Sequence, residues 1–155
     1  MNKKSFTLIE LLVVIMILGV LAALISGNFF TSLKKGRDAK RKADLEQITR
    51  ALEMYYEDKK SYPTALPFGE KFCETSVCTG EKVYMQKLPD DPVSGKDYEY
   101  ITTAGADYKL FACLENNLQM LPYISSGYTI SCGTNCNGTP GVPCIWGVSS
   151  SNIAP

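Results

Sequence analysis

The stretch Ser5-Phe6-Thr7-Leu8-Ile9-Glu10-Leu11-Leu12-Val13-Val14 decides the organisation of this chain, because it begins a long apolar segment that contains one carboxylate. Residues 11–33 carry no charge, and residues 11–25 are all apolar except Gly19. A helix over residues 6–25 would be about 30 Å long, which is the thickness of a bilayer's hydrocarbon core. The segment is therefore predicted to be a helix that spans a membrane once.

Three interpretations compete for this segment. A secretory signal peptide has a short apolar region followed by a small-residue cleavage site, but this run is too long and Ile25-Ser26-Gly27 is a weak candidate for such a site. A plain membrane anchor explains the length but not Glu10, because a charge in a membrane helix is costly and usually functional. A carboxylate near a helix end can also be tolerated by reaching the interface. The third interpretation places a cut between Ser5 and Phe6, before the apolar run.

A cut after Ser5 would create a free α-amine on Phe6, one helical turn from Glu10. An ammonium group is unfavourable at the positive end of a helix dipole, whereas a carboxylate is favourable there. If copies of the helix associate side by side, the Glu10 carboxylate of one copy can pair with the Phe6 amine of another. Buried ion pairs stabilise little but can fix register, so the pattern predicts Glu10 as an assembly residue.

The segment Lys3-Lys4-Ser5-Phe6-Thr7-Leu8-Ile9-Glu10-Leu11-Leu12-Val13-Val14 resembles the processing and methylation motif of type IV pilins and type II secretion pseudopilins. The resemblance implies that a prepilin peptidase on the cytoplasmic side cuts after Ser5 and methylates the amine of Phe6. It also implies that Glu10 pairs with the N-terminus of a neighbouring subunit. The family usually has glycine before the cut, where this chain has Ser5; serine is also small, so cleavage is expected.

Residues 34–60 are predicted to continue the helix as an amphipathic segment, with apolar residues at helical spacing and most charges elsewhere. Tyr62-Pro63 predicts its end, because proline disfavours helical conformation in the residue before it. The predicted buried stripe consists of Ala39, Ala43, Ile48, Leu52 and Tyr55, widened by Leu45 and Tyr56.

Six basic residues lie between positions 34 and 42, a density that could serve nucleic acid or lipid headgroups. Because charge runs usually form a solvated surface, we expect a solvated or headgroup-facing helix face here and no nucleic-acid binding. Positive charge normally stays in the cytoplasm, yet this cluster falls on the side that we predict to be outside. Its members are Lys34, Lys35, Arg37, Lys40, Arg41 and Lys42.

Residues 61–155, called the head below, contain short strand-like runs separated by turn residues. Residues 98–102 and 108–114 flank a loop at 103–107 and predict an antiparallel hairpin, whereas residues 128–132 and 144–148 are weaker strand candidates. A small sheet needs an apolar surface, which the amphipathic helix supplies. The predicted fold is α+β, a long N-terminal helix packed on a small antiparallel β-sheet head with disulfides. Pilin-like proteins have that architecture, and residues 88–100 resemble the loop and strand that follow the helix in major pseudopilins.

All six cysteines lie in the head, and an even number clustered in this way indicates disulfides formed in an oxidising compartment. Zinc thiolate sites are the alternative, but the usual two-residue spacing and any histidine are missing. We favour one pairing, Cys73 with Cys78, and leave the others open. The cysteines are Cys73, Cys78, Cys113, Cys132, Cys136 and Cys144.

The composition argues against most enzyme classes. Histidine is absent, which removes the commonest general base and metal ligand, and 16 basic residues balance 16 acidic ones. The sequence shows no group of residues that could act together as nucleophile, base and oxyanion donor. We therefore predict no enzyme activity and no cofactor. Some major pseudopilins bind calcium; the carboxylates Asp90, Asp91, Asp97 and Glu99 match no calcium-loop spacing, and calcium binding is left open.

Together these features predict a cleaved leader at residues 1–5, a transmembrane or filament-core helix at 6–33, an amphipathic segment at 34–60 and an extracytoplasmic head at 61–155. The predicted function is a structural subunit of a type IV pilus-like filament. A pseudopilin of a type II secretion system or a DNA-uptake pilus is the alternative. Implied partners are other copies of the chain, prepilin peptidase, the assembly machinery and, before assembly, membrane lipid.

Two function classes of a different kind remain, a membrane-anchored enzyme and a secreted binding module. The mature N-terminus distinguishes all three classes. An uncut chain indicates the anchored enzyme, a cut near Gly27 indicates the secreted module, and a cut after Ser5 indicates the filament subunit. The last of these keeps the N-terminus on the cytoplasmic side before assembly and places the head outside.

Overall fold

A computed structural model describes residues 5–75, 78–118, 128–133 and 142–150. Within these ranges the chain forms one helix and five short strands, and it divides into two compact units between Lys34 and Lys35. The elements are α1 (Leu8–Lys59), β1 (Phe72–Cys73), β2 (Val83–Met85), β3 (Glu99–Thr102), β4 (Tyr108–Cys113) and β5 (Ile145–Ser149). The α+β fold and the long N-terminal helix predicted from the sequence are confirmed.

The first unit contains the N-terminal half of α1. The apolar run forms helix as predicted, and Gly19 does not interrupt it. Every side chain described in this unit is exposed, including Leu8 at 82% and Phe30 at 70%. An apolar surface of this size is unusual on a soluble monomer, so it indicates contact with lipid or with other protein.

The second unit contains the rest of α1 and the head. Strands β3, β4 and β5 form an antiparallel sheet in that order, with Tyr100 opposite Leu110 in one pair and Phe111 opposite Gly147 in the other. The predicted hairpin is therefore confirmed, and the candidate at residues 144–148 corresponds to β5. The candidate at residues 128–132 is wrong, because these residues form no strand. A small antiparallel pair, β1 with β2, was not predicted.

The core lies where α1 packs on the sheet. Leu45, Ile48 and Leu52 are fully buried and belong to one cluster with Tyr108 and Leu110 of β4. Their spacing of three and four residues places them on one face of the helix. Tyr55 and Tyr56, both half-buried, extend the same contact towards the end of α1.

The predicted stripe is wrong at its N-terminal end. Ala39 and Ala43 are exposed, whereas Asp38, Arg41 and Asp44 are buried. These three polar residues recur every three positions and lead directly into the Leu45 face. The buried face of the helix therefore consists of charged residues at this end. The sequence pattern counted only apolar side chains as buried, so it selected the two alanines instead.

The end of α1 is connected to the β3–β4 loop. Helix ends at Lys59, as the Tyr62-Pro63 signal predicted, and the Tyr62 backbone N–H donates to the Gly105 carbonyl at 2.8 Å. Gly105 has φ +77°, and a Cβ there would lie 3.0 Å from the Tyr62 carbonyl oxygen. A glycine is therefore required by both the backbone conformation and the close approach.

Candidate functional site in the two charged regions of the helix

One helix among the described residues is long and apolar enough to cross a membrane. Its apolar window is Leu8–Ile25, with a mean hydropathy of 3.1 and no buried residue. The core helix of a soluble protein would bury most of such a window. Length and composition thus support membrane anchoring by this segment.

Glu10 lies in the first turn of α1 and forms a capping box with Thr7. The Thr7 backbone N–H and hydroxyl donate to Glu10 Oε2 at 2.9 and 2.8 Å, and the Glu10 N–H donates to the Thr7 hydroxyl at 3.3 Å. Such reciprocal contacts satisfy N–H groups that the helix itself leaves unpaired. This role was not predicted from the sequence, although the Thr7-x-x-Glu10 spacing is its usual signal.

The predicted processing junction precedes the helix. Ser5, Phe6 and Thr7 are outside α1, and the Phe6 side chain is 84% exposed. The leader residues 1–4 are outside the described ranges. Cleavage after Ser5 and methylation of Phe6 therefore stay predictions, as does the pairing of Glu10 with another subunit.

The second charged region is centred on Arg41, whose side chain is fully buried. Its guanidinium binds Asp91 through two hydrogen bonds, Nε to Oδ2 at 2.6 Å and Nη2 to Oδ1 at 2.9 Å. It also donates to Asp38 at 2.9 Å and lies 2.8 Å from Glu115. Because arginine presents five donors in a fixed plane, one side chain can hold three carboxylates from separate parts of the chain.

Asp38 and Arg37 connect α1 to the segment that follows β4. The Asp38 carboxylate accepts the backbone N–H groups of Glu115 and Asn116 at 2.9 and 2.8 Å. Arg37 donates to Glu115 through Nε at 2.9 Å and Nη2 at 2.5 Å. We call Arg37, Asp38, Arg41, Asp91 and Glu115 the ionic joint, because they hold two head segments to the helix.

The electrostatics of the ionic joint favour the charged forms of Glu115, Arg37 and Arg41. Hydrogen bonds from Arg37 lower the pKa of Glu115 to about 2. Burial of the carboxylate works in the opposite direction, and Arg41 lowers the pKa further. Burial works to lower the pKa of Arg41, but its hydrogen bonds to Asp91 and Glu115 outweigh that effect and raise it. Burial raises the pKa of nearby Asp44, which accepts a hydrogen bond from the Tyr98 hydroxyl at 2.9 Å. Glu115 and the two arginines are therefore ionised at neutral pH.

The basic cluster predicted as one solvated surface is divided by the fold. Arg41 is buried, Arg37 pairs with Glu115, and the Lys42 ammonium lies 4.3 Å from the centre of the Trp146 ring. Lys34, Lys35 and Lys40 are exposed as expected. The prediction is therefore wrong for the two arginines and Lys42. Their carboxylate and aromatic partners are far away in sequence, so no local pattern indicates them.

Disulfides in the head are confirmed. Cys73 is joined to Cys78, the pairing that the sequence favoured, and Cys113 is joined to Cys132. Cys144 is disulfide-bonded as well, while Cys136 lies outside the described residues. The second disulfide begins at the end of β4, two residues before Glu115 of the ionic joint.

Two of the four carboxylates considered for calcium, Asp91 and Glu99, bind other groups of the chain. Asp91 binds Arg41, and Glu99 accepts the backbone N–H groups of Thr129 and Ile130 at 2.9 and 3.0 Å. Within the described residues, no three Asp, Glu, Cys or His side chains cluster as a metal site would require. The described part of the chain thus gives no support to a calcium site at these positions.

Comparison with known families identifies two consecutive matches. Residues 1–26 match the prokaryotic N-terminal methylation motif. Residues 28–117 match type II secretion system (T2SS) protein G, a match that includes the buried half of α1 and the ionic joint. No solved structure matches the chain.

Several relatives carry the name type II secretion system core protein G. The protein of Klebsiella pneumoniae is 35% identical over 110 residues, covering 65% of this chain and 76% of the relative. The protein of Escherichia coli K12 is 34% identical over 103 residues, covering 63% of this chain and 70% of the relative. The protein of Vibrio cholerae is 34% identical over 107 residues, covering 65% of this chain and 72% of the relative.

These matches support the secretion pseudopilin, which the sequence analysis kept as the alternative to a type IV pilus subunit. Only the N-terminal motif, which pilins and pseudopilins share, supports the pilus interpretation. The family is one of structural pseudopilin subunits. By sequence, the chain belongs to the type II secretion system protein G family.

Proposed function

We propose that this chain is a structural subunit of a type II secretion pseudopilus, kept in the membrane by its N-terminal helix until it polymerises through that helix. The observation that carries the proposal is the apolar window Leu8–Ile25, in which no residue is buried and which contains a carboxylate at Glu10. A single chain leaves this surface uncovered. Lipid covers it before assembly and neighbouring copies cover it afterwards.

In this proposal, the segments have successive roles. Residues 1–5 are the leader, 6–33 the membrane and filament-core helix, 34–60 the amphipathic segment, and 61–155 the extracytoplasmic head. The division of the chain at Lys34/Lys35 lies within one residue of the proposed boundary. The disulfides support placement of the head in an oxidising compartment, with the N-terminus on the cytoplasmic side.

Glu10 is proposed to set the axial register of the filament. Its side chain is exposed in the single chain, and the carboxylate is occupied locally by Thr7. After prepilin peptidase cuts at Ser5, the amine of Phe6 on an adjoining subunit provides a charged partner. A carboxylate hydrogen bond to a charged donor is stronger than one to a neutral hydroxyl, so the exchange favours assembly.

The chain itself is proposed to have no enzymatic role. The structural role of its family supports this, and so does the use of the most buried charges, Arg41 and Asp38, in mutual ion pairs. Its proposed partners are other copies of the chain, prepilin peptidase and the membrane components of the secretion system.

The mature N-terminus tests the proposal. Mass spectrometry of the protein isolated from membranes should find a chain that begins at Phe6 with a methylated amine. Overproduction with the secretion genes should give filaments whose subunit has that mass. Retention of residues 1–5, or a start after Gly27, would overturn the filament-subunit proposal. Filaments that form without any secretion genes but with pilus genes would move the chain to the pilus alternative.

A further inference from the structure

The exposed lysines at the start of the basic cluster are not part of the ionic joint. Arg37, Arg41 and Lys42 contact the head, whereas Lys34 and Lys35 are exposed and form no ion pair with another described residue. Two adjacent exposed lysines without an ion pair in the described part of the chain are available to an external anion. Their place along the helix suggests which one.

Distances along α1 place the backbone of these lysines just beyond the lipid headgroups, within reach of their side chains. The apolar window ends at Ile25, and at about 1.5 Å per residue Lys34 lies about 14 Å further along the helix. The headgroup layer extends about 5 to 8 Å beyond the hydrocarbon on each side. A lysine stem is long enough for its ammonium to reach back into that layer. Phe29 and Phe30, exposed and in edge-to-face contact, lie between the window and the lysines.

We infer that Lys34 and Lys35, together with Phe29 and Phe30, form an interfacial anchor that binds the phosphate groups of anionic phospholipid while the subunit is unassembled. The inference rests on the proposed membrane anchoring and adds the chemistry of the lipid. Ammonium groups bind phosphate as point charges, and apolar rings favour the boundary of the acyl chains. Charge complementarity selects anionic over zwitterionic lipid.

Lipid selectivity of the full-length chain tests the anchor. The chain is reconstituted into phosphatidylcholine vesicles that contain traces of spin-labelled phosphatidylglycerol or spin-labelled phosphatidylcholine, and the fraction of label immobilised by the protein is measured. We expect phosphatidylglycerol to associate more strongly, by about fivefold for each lysine at low salt. The preference should fall as salt is added, because both lysines are exposed.

The double variant Lys34→Gln/Lys35→Gln should bring the two lipids close to equal association. Lys40→Gln is the matched control, because Lys40 is also exposed but lies at least five residues further from the apolar window. It should retain most of the preference. Equal association of both lipids with the unaltered chain, or an unchanged preference in the double variant, would overturn the inference.

Two further measurements separate this inference from the proposed function. If the unaltered chain is washed from vesicles at alkaline pH, membrane anchoring itself fails, and the inference fails with it. If the chain stays in the vesicles but shows no lipid preference, only the inference fails. Loss of filaments in the double variant without any lipid preference would assign the lysines to carboxylates of a second copy, which also overturns the lipid anchor.

Discussion

The two halves of α1 place charge in opposite ways. In the N-terminal half, the described apolar side chains are exposed and the single charge, Glu10, is exposed at the first turn. In the C-terminal half, Leu45, Ile48 and Leu52 are buried together with Asp38 and Arg41. The same helix thus leaves its apolar surface uncovered in one half and covers it in the other.

This difference separates two kinds of ion pair. The Arg41 pairs are complete within one chain and stabilise its fold. Among the described residues, Glu10 accepts hydrogen bonds only from the neutral donors of Thr7, and the charged partner that we propose for it belongs to another subunit. Substitutions in the two halves should therefore affect different properties, assembly in the first half and folding stability in the second.

The largest effect is expected from Glu10→Val. Without the carboxylate, the Phe6 ammonium of an adjoining subunit would enter the apolar filament core unpaired, at a cost on the order of 3 to 5 kcal/mol for each subunit added. Filaments should be absent, while processed protein accumulates in the membrane. Electron microscopy, together with the mass of the mature chain, measures both outcomes.

Glu10→Gln is the matched control for the capping box, because glutamine can also accept the Thr7 hydrogen bonds. If charge is what matters, this variant should assemble as poorly as Glu10→Val. Normal filaments from Glu10→Gln would show that the helix cap suffices. Normal filaments from Glu10→Val would remove Glu10 from assembly altogether.

The next largest effect is expected from Arg41→Met, which keeps the length of the side chain but removes its charge. Asp38, Asp91 and Glu115 would lose a shared cation in a buried site, which typically costs about 3 to 5 kcal/mol. Urea denaturation of the full chain in detergent, followed by the fluorescence of Trp146, should show this loss of stability. Membrane insertion should be unchanged.

Lys40→Met is the control for Arg41→Met, since Lys40 is its exposed neighbour in sequence. Its free energy of unfolding should change by less than about 0.5 kcal/mol. Arg41→Lys should be intermediate, because an ammonium keeps the charge but cannot make the two-point contact with Asp91. Equal stability of Arg41→Met and Lys40→Met would contradict the ionic joint.

Sequence alone predicted the elements whose signals are local. The apolar run predicted the first half of α1, the strand-like runs on either side of the loop at residues 103–107 predicted the β3–β4 hairpin, and Tyr62-Pro63 predicted the end of the helix. Each of these features is decided by neighbouring residues. The two-residue strand β1 contains too few positions to show any period.

The ionic joint could not be predicted in the same way. Arg41 and Lys40 are adjacent and equally polar, and two of the three carboxylates that bind Arg41, Asp91 and Glu115, are 50 or more positions away. A pattern that treats alanine as core and charge as surface selected Ala39 and Ala43 and rejected Asp38 and Arg41. The family resemblance, by contrast, predicts a role for Glu10 from a signal that is contained within a few residues, and that role stays a prediction.

Acid should lower the free energy of unfolding by protonating Glu115 in the ionic joint between α1 and the head. Its pKa is lowered from 4.5 to about 2 in the folded chain, so its contribution is fully present above about pH 4.5 and is lost as the pH falls towards 2. The total is on the order of 3 kcal/mol and overlaps with the effect of Arg41→Met. The free energy of unfolding measured between pH 7 and pH 2 checks this dependence.

Glu115→Gln isolates that effect, because it removes the titrating group while keeping an acceptor for Arg37. The variant should be less stable than the unaltered chain at pH 7, and the difference should shrink towards pH 2. A constant difference across this range would mean that Glu115 does not supply the pH dependence.

The smallest effect is expected from Lys42→Met, which tests whether the third inward-facing basic residue acts like the arginines. The Lys42 ammonium lies 4.3 Å from the centre of the Trp146 ring, and both residues are half-buried. A cation over an aromatic face contributes about 0.5 to 1 kcal/mol when partly exposed, and methionine keeps most of the packing without the charge. The loss of stability should therefore be several times smaller than for Arg41→Met. Since Trp146 is the only tryptophan, its emission reports the change directly. An unchanged emission spectrum together with unchanged stability would place Lys42 with the solvated lysines, as the sequence first predicted.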